Sequence, residues 1–174
     1  MQKLIVSTDF NGIVLFDPKV LEDFYGRKIV DGEDLFHRYM TTDEGNVVLK
    51  KGVIIPILAI DDAGYDIFIR TNTEKQCINK SNIVCQNGNY NLIIKKQAVI
   101  CDLVVIKDWE YNTDWQWLDI EPGIYSVTIN GFKQLNDEKN EIIAAGYEFV
   151  FTRENTSGNC SADIEKNMRV LGRE

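Results

Sequence analysis

Apolar residues in this chain come in short runs broken by polar and glycine-containing turns, and many of the runs alternate. In the run from Tyr65 to Arg70, Tyr65, Ile67 and Ile69 face one way and Asp66, Phe68 and Arg70 the other. That period of two predicts a half-buried strand. Similar runs predict strands at 4–6 and 13–16, with Asn11-Gly12 between them as a hairpin turn. Residues 47–49 lead into another strand at 52–60, where Pro56 cannot donate to a ladder and marks an edge or a bulge. Shorter strands are expected at 82–85, 90–95, 98–106 and 117–120. One at 125–129 is ended by Asn130-Gly131, and a last long one at 142–153 bends at Gly146.

Helical spacing is confined to three places. Asp17 can cap a helix that Pro18 opens and Gly26 ends. A second runs over 31–40, with Leu35, Phe36 and Tyr39 on one side, and Gly45-Asn46 closes it. A third starts near Ser161, carries Ile164, Met168 and Leu171 on one face and stops at Gly172. Helices so few cannot alternate with strands as βαβ units. The pattern predicts a mostly β chain, an antiparallel β-sandwich with a few short peripheral helices. Its 174 residues fit a single domain over 1–174. Two local echoes, 47–55 with 92–100 and 63–69 with 145–151, raise an internal duplication, although their offsets differ.

Composition narrows the function. A 44% hydrophobic and 26% charged content suits a globular chain. With 27 acids against 19 Lys and Arg, the net charge is −8. No basic run offers phosphate contacts, so direct nucleic-acid binding is not expected, and a basic protein partner is. No apolar run reaches the ~18 residues of a membrane span, and the opening residues lack the apolar core of a signal peptide. A cytoplasmic protein is expected.

No catalytic or metal-binding constellation is legible. His37 is the single histidine, and it lies beside Arg38. A pairing with Cys77, Cys85 or Cys101 has no spacing to support it. Cys160 completes the four cysteines, none of which forms a C-x-x-C pair. Asp61-Asp62 lacks the spacing of a calcium loop, and phosphate-binding glycine motifs are absent. Glu110 and Asp119, near aromatics, are an inexpensive match to paired glycosidase carboxylates in so acidic a chain. The expectation is a non-enzymatic protein without metal or cofactor.

One segment is unusual. Residues 107–121 hold all three tryptophans, a tyrosine and five acids against one lysine. Exposed, Trp109, Tyr111 and Trp115 would anchor a partner, while Asp108, Glu110, Asp114 and Asp119 would steer a basic one. Alternatively the tryptophans are the inward face of a strand or plug an end of the sandwich.

The later part carries Leu118-Asp119-Ile120-Glu121-Pro122-Gly123-Ile124-Tyr125-Ser126-Val127 and then Tyr147-Glu148-Phe149-Val150-Phe151. This stretch, about a fifth of the chain, resembles the end of small acidic bacterial proteins of the DNA-entry nuclease inhibitor type and related toxin-immunity proteins. There a Pro-Gly-x-Tyr turn starts one strand and a late strand closes the sandwich. The present chain is longer and has helical signals at both ends. The resemblance implies a β-sandwich binder that blocks a toxic or nucleolytic enzyme, and it assigns no functional residue. The leading expectation is therefore an immunity or inhibitor protein that caps a basic toxin or nuclease. The alternative is a small-ligand or carbohydrate-binding module with tryptophans stacked on sugar rings. Oligomeric state is left open.

Overall fold

The computed structural model describes residues 1–139 and 141–172. Among them nine strands form two sheets, and four short helices lie outside the sheets. The strands are β1 (Gln2–Ser7), β2 (Gly12–Phe16), β3 (Ile54–Leu58), β4 (Gly64–Thr71), β5 (Ile83–Ile94), β6 (Val99–Asp102), β7 (Gln116–Trp117), β8 (Gly123–Leu135) and β9 (Ile142–Glu154). The helices are α1 (Pro18–Tyr25), α2 (Leu35–Thr41), α3 (Glu44–Lys50) and α4 (Val104–Lys107). A five-stranded sheet in the order β1-β4-β9-β8-β5 faces a four-stranded sheet in the order β3-β2-β6-β7. The expected mostly β sandwich with peripheral helices is the observed architecture. All pairings are antiparallel except β4 with β9, which run parallel with Asp66 opposite Gly146.

Two apolar layers arise from the period of two. Ile13 and Leu15 of β2, with Ile55 and Ile57 of β3, face the larger sheet and meet Tyr65, Ile67, Val127, Tyr147, Phe149 and Phe151. Val14, Phe16 and Ile54 face outward, where α1, α2, α4 and residues 109–115 cover them. β2 is thus buried on both faces, as its unbroken apolar run requires.

Gly146 has a steric reason rather than a bend. A Cβ there would lie 1.8 Å from the carbonyl oxygen of Asp66, so only glycine admits the close parallel approach of β4.

Both open sides of the sandwich are laced by side chains. On one, the Gln2 amide donates to the carbonyl of Trp117 (3.0 Å) and accepts from the N–H of Asp119 (2.8 Å). On the other, residues 158–172 run as an irregular strap over β5. The Asn91 amide donates to the Gly158 carbonyl, Ser161 N–H donates to the Asn89 carbonyl, and the Asn87 amide donates to the Asp163 carbonyl. Met168 and Val170 enter the core, and the Tyr147 hydroxyl donates to the Met168 carbonyl at 2.7 Å.

Several local expectations are corrected. β1 and β2 do not pair as a hairpin; Asn11, at φ 48°, carries the chain from one sheet to the other. Asp102 pins that crossing by accepting from the Thr8 hydroxyl and the Asp9 N–H. Residues 47–49 are helical, since only Val48 is fully buried there and Glu44 and Lys50 sit favourably at the ends of α3. Strand 98–106 stops at Asp102 and gives way to α4, while 82–85 and 90–95 are one strand, β5. Asn130-Gly131 lies inside β8 rather than ending it. The third helix is absent, because Met168 and Val170 bury at a spacing of two and the strap's backbone bonds to asparagines of β5. Of the echoes, 47–49 is helical where 92–94 is strand.

The first helix forms as expected. The Asp17 carboxylate caps it through Lys19 N–H and also accepts from the N–H groups of Lys95 and Lys96, each at 2.7 Å, which ties α1 to the β5–β6 turn. Gly26 closes it in the left-handed region. Beyond it, Arg27 makes a two-pronged pair with Glu33 (2.6 and 2.9 Å), which also accepts from Val30 N–H and from Arg38. These bonds hold the Glu33 carboxyl down at about 2, below its ordinary 4.5, with the Arg27 hydrogen bond the largest cause. A folded-state value below the unfolded one means the pair stabilises fully above about 4.5 and loses its effect as pH falls through about 2. Urea unfolding of wild type and Glu33→Gln across that window is expected to show a gap that narrows as pH falls. A constant gap would separate the carboxylate from the acid response.

Candidate functional site

The aromatic segment lies mostly inside. Trp109 and Trp115 are 2% and 6% exposed, packed on Phe16 of β2 at ring-centre distances of 5.7 and 5.5 Å. Asn112 and Asp114 take positive φ values of 61° and 54°, which reverses the chain and folds Tyr111 back onto Trp115 at 4.8 Å. Trp117 flanks the same ring at 5.7 Å, and its indole N–H donates to the Asn112 side chain. The expected tryptophan anchors are therefore part of the apolar layer that covers the smaller sheet. The outer face of β2 and β6 needs such a cover, and indoles are the largest side chains that can supply it.

What stays in water is narrower than expected. Tyr111 is 58% exposed, and Asp108, Glu110, Asp114 and Asp119 are exposed without an ion pair among the described residues. Asp119 lies past β7, beside β1, where its N–H meets Gln2.

His37 is exposed on α2, whereas Cys101 is buried in β6 with its thiol pushed well above the ordinary range by burial. All four cysteines are free. Among the described residues no group of His, Cys, Asp or Glu is arranged to hold a metal ion. No helix there is long and apolar enough to cross a membrane.

A concave feature with mainly apolar walls lies elsewhere. A groove of about 590 Å³ runs between β3, the helices and the strap. Its floor is Ile54, Pro56 and Leu58, the outward-facing positions of β3, whose alternates Ile55 and Ile57 fill the core. Phe36, Tyr39 and Met40 of α2 make one wall, Leu49 of α3 and Ile106 of α4 extend it, and Ile164 and Arg169 of the strap face them. Pro56 keeps its place because β3 is an edge strand, so its missing N–H breaks no ladder beyond β2.

Tyr39 presents its ring to the groove and its hydroxyl inward. That hydroxyl donates to Tyr25 at 2.8 Å, and Tyr25 in turn donates to the Glu44 carboxylate at 3.0 Å. Burial raises the Tyr39 phenol far above the ordinary range and pushes that of Tyr25 up to about 12. Both are uncharged at neutral pH, and the wall stays apolar. Met40 at the rim is 58% exposed. A larger hollow of about 1100 Å³ beside the β8–β9 turn has a mixed wall, with Lys133, Asp137 and Lys139 beside Val84, Leu135 and Ile142.

Sequence reasoning missed this groove. The signal was there in Phe36 and Met40, four apart on α2, which give that helix a wider apolar stripe than its core contact with Leu35 and Tyr39 uses. The strap's share was not legible, because the spacing of Ile164, Met168 and Leu171 is that of a helix.

No family model matches the chain, and no curated protein matches it in sequence. A solved structure called "Crocagin biosynthetic gene J" is similar at a TM-score of 0.51 and 10% identity, covering 88% of this chain and 96% of that one. At that identity the likeness is one of fold: the chain shares its two-sheet architecture with that protein over nearly the whole of both.

Proposed function

We propose that this chain is a binding protein rather than a catalyst, and that the groove over β3 receives a small apolar ligand. The observation that carries the reading is the groove itself. About 590 Å³ of concave space lies between Leu58, Phe36, Met40 and Ile106, within the ~300–1,000 Å³ of small-molecule sites. A sandwich that only needed to bury its edge strand would fill this space with side chains, as interiors do. Tyr39 supplies an aromatic wall whose polar end is already satisfied, so an apolar guest leaves no buried hydroxyl unpaired.

The test is a titration with the neutral polarity-sensitive dye Nile red. Wild type is expected to give saturable one-to-one fluorescence. Met40→Glu combined with Leu58→Gln is expected to weaken binding about tenfold, because a carboxylate at the rim and an amide on the floor oppose burial of an apolar guest. Unsaturable binding, or equal affinity in the variant, would remove the groove as the site.

A second reading is favoured by the exposure of Asp108, Glu110, Tyr111 and Asp114 on one short segment. Here the chain caps a basic toxin or nuclease, as in immunity and inhibitor proteins. Tyr111 is the single large anchor left to it, and the carboxylates act through the salt-dependent association rate.

A further inference from the structure

The charge around the groove says more about its guest than the walls do. Taking the groove over β3 as the binding site, as proposed, we infer that the ligand is a small amphipathic acid, its apolar body lying on β3 and α2 and its single anionic head held by Lys166 and Arg169 of the strap. The sheet and helix walls contribute no charged side chain to the lining. The charges there are Glu165, Lys166 and Arg169, all on the strap and all exposed. In a chain of net charge −8, the charged side chains that line the groove carry one more positive than negative charge.

Arg169 is held in place. Its Nε donates to the carbonyl of Ala59, just past β3, at 2.8 Å. That bond orients the guanidinium, and neither terminal nitrogen has an acceptor among the described residues. A planar fork with one edge already engaged and the rest free matches a carboxylate, phosphate or sulfate oxygen pair. Val170 and Met168 on either side of Arg169 are buried, so the residue is carried on a fixed backbone rather than a loose end. Lys166 likewise makes no ion pair among the described residues. Glu165 offsets one of the two cations and disfavours a ligand with more than one negative charge. A cationic head would face two like charges and leave the Arg169 fork unused.

Calorimetric titration of the whole chain at low salt with decanoate, decanol and decyltrimethylammonium, each below its micelle concentration, tests the assignment. Decanoate is expected to bind about tenfold tighter than decanol, as one charge-assisted contact predicts, and the quaternary ammonium is expected to bind least. Lys166→Gln with Arg169→Gln should abolish the preference, bringing decanoate down to the level at which the same variant binds decanol. Both substitutions are at exposed positions, so the fold should be retained; matching urea midpoints check this, and Lys166→Arg with Arg169→Lys should keep the preference. Equal binding of decanoate and decanol by wild type, or a preference that survives the glutamine pair, overturns the head-group assignment and leaves the groove reading in place. Failure of all three probes to bind overturns both.

Discussion

Trp115→Ala is expected to lower the unfolding free energy by about 3–5 kcal/mol, the usual cost of truncating a large buried aromatic. The ring is 6% exposed and stands against Phe16, Trp109, Tyr111 and Trp117, all within 5.7 Å between ring centres. Its removal opens a cavity that no single neighbour can fill, since Phe16 is fixed in β2 between two sheet partners. Urea unfolding monitored by far-UV circular dichroism gives the number. The contrast with Tyr111→Ala is what makes the measurement decisive. Tyr111 is mostly in water, and its loss should change stability by about 0.5 kcal/mol or a little more, the scale of surface substitutions. A Trp115→Ala protein as stable as wild type would mean that the ring is a surface anchor after all. It would return the aromatic segment to the centre of the docking reading.

The second large effect is expected on the opposite face of the molecule. Glu148 is 0% exposed although it points outward from β9, because residues 72–82 lie over it. Its carboxylate accepts from Arg70 Nε at 2.8 Å, from the Asn130 amide at 2.8 Å and from the Cys77 N–H at 3.4 Å. Arg70 is itself only 11% exposed in its side chain. Glu148→Leu should cost about 3–5 kcal/mol, because it leaves a buried guanidinium and a buried amide without their acceptor. Arg70→Met together with Glu148→Leu should recover much of that loss, since removing both charges removes the desolvation penalty as well. Hydrogen exchange over 72–82 should quicken in the single variant, as the Cys77 amide loses its partner. If the single variant unfolds at the wild-type midpoint, the pair contributes nothing to holding that loop.

Much of the fold is legible in the chain, and the reasons for what is not are local. The alternation at Tyr65–Arg70 names both the strand and its inward face, because one side of β4 meets a sheet and the other meets less. Asp17, Pro18 and Gly26 mark α1 at both ends, because capping is a short-range effect. Asn11-Gly12 misleads, since a turn-forming pair reverses the chain without saying whether the next strand rejoins the same sheet. Asn130 misleads for a different reason: its amide serves Glu148 across the sheet rather than its own backbone. The site is less legible than the fold. Density singles out the tryptophans, but density does not tell a packed cluster from an exposed one. The groove assembles β3, α2 and a strap from the far end of the chain, and no window of sequence contains all three.

The parallel seam between β4 and β9 sets an order of events for the folding chain. β1 and β4 can pair early, but the neighbour that continues their sheet is β9, which comes after β8 in the sequence and pairs with it. During synthesis the β4 edge, with its Ile67 and Ile69, therefore waits open while some eighty residues (146 − 66) emerge from the ribosome. Pairing across so long a separation is slow relative to local contacts, and an unpaired apolar edge is a template for a second nascent chain. Crowded expression at high temperature should thus lose material to association before the seam closes. Slowing initiation, so that fewer incomplete chains coexist, should recover it without any change in the sequence.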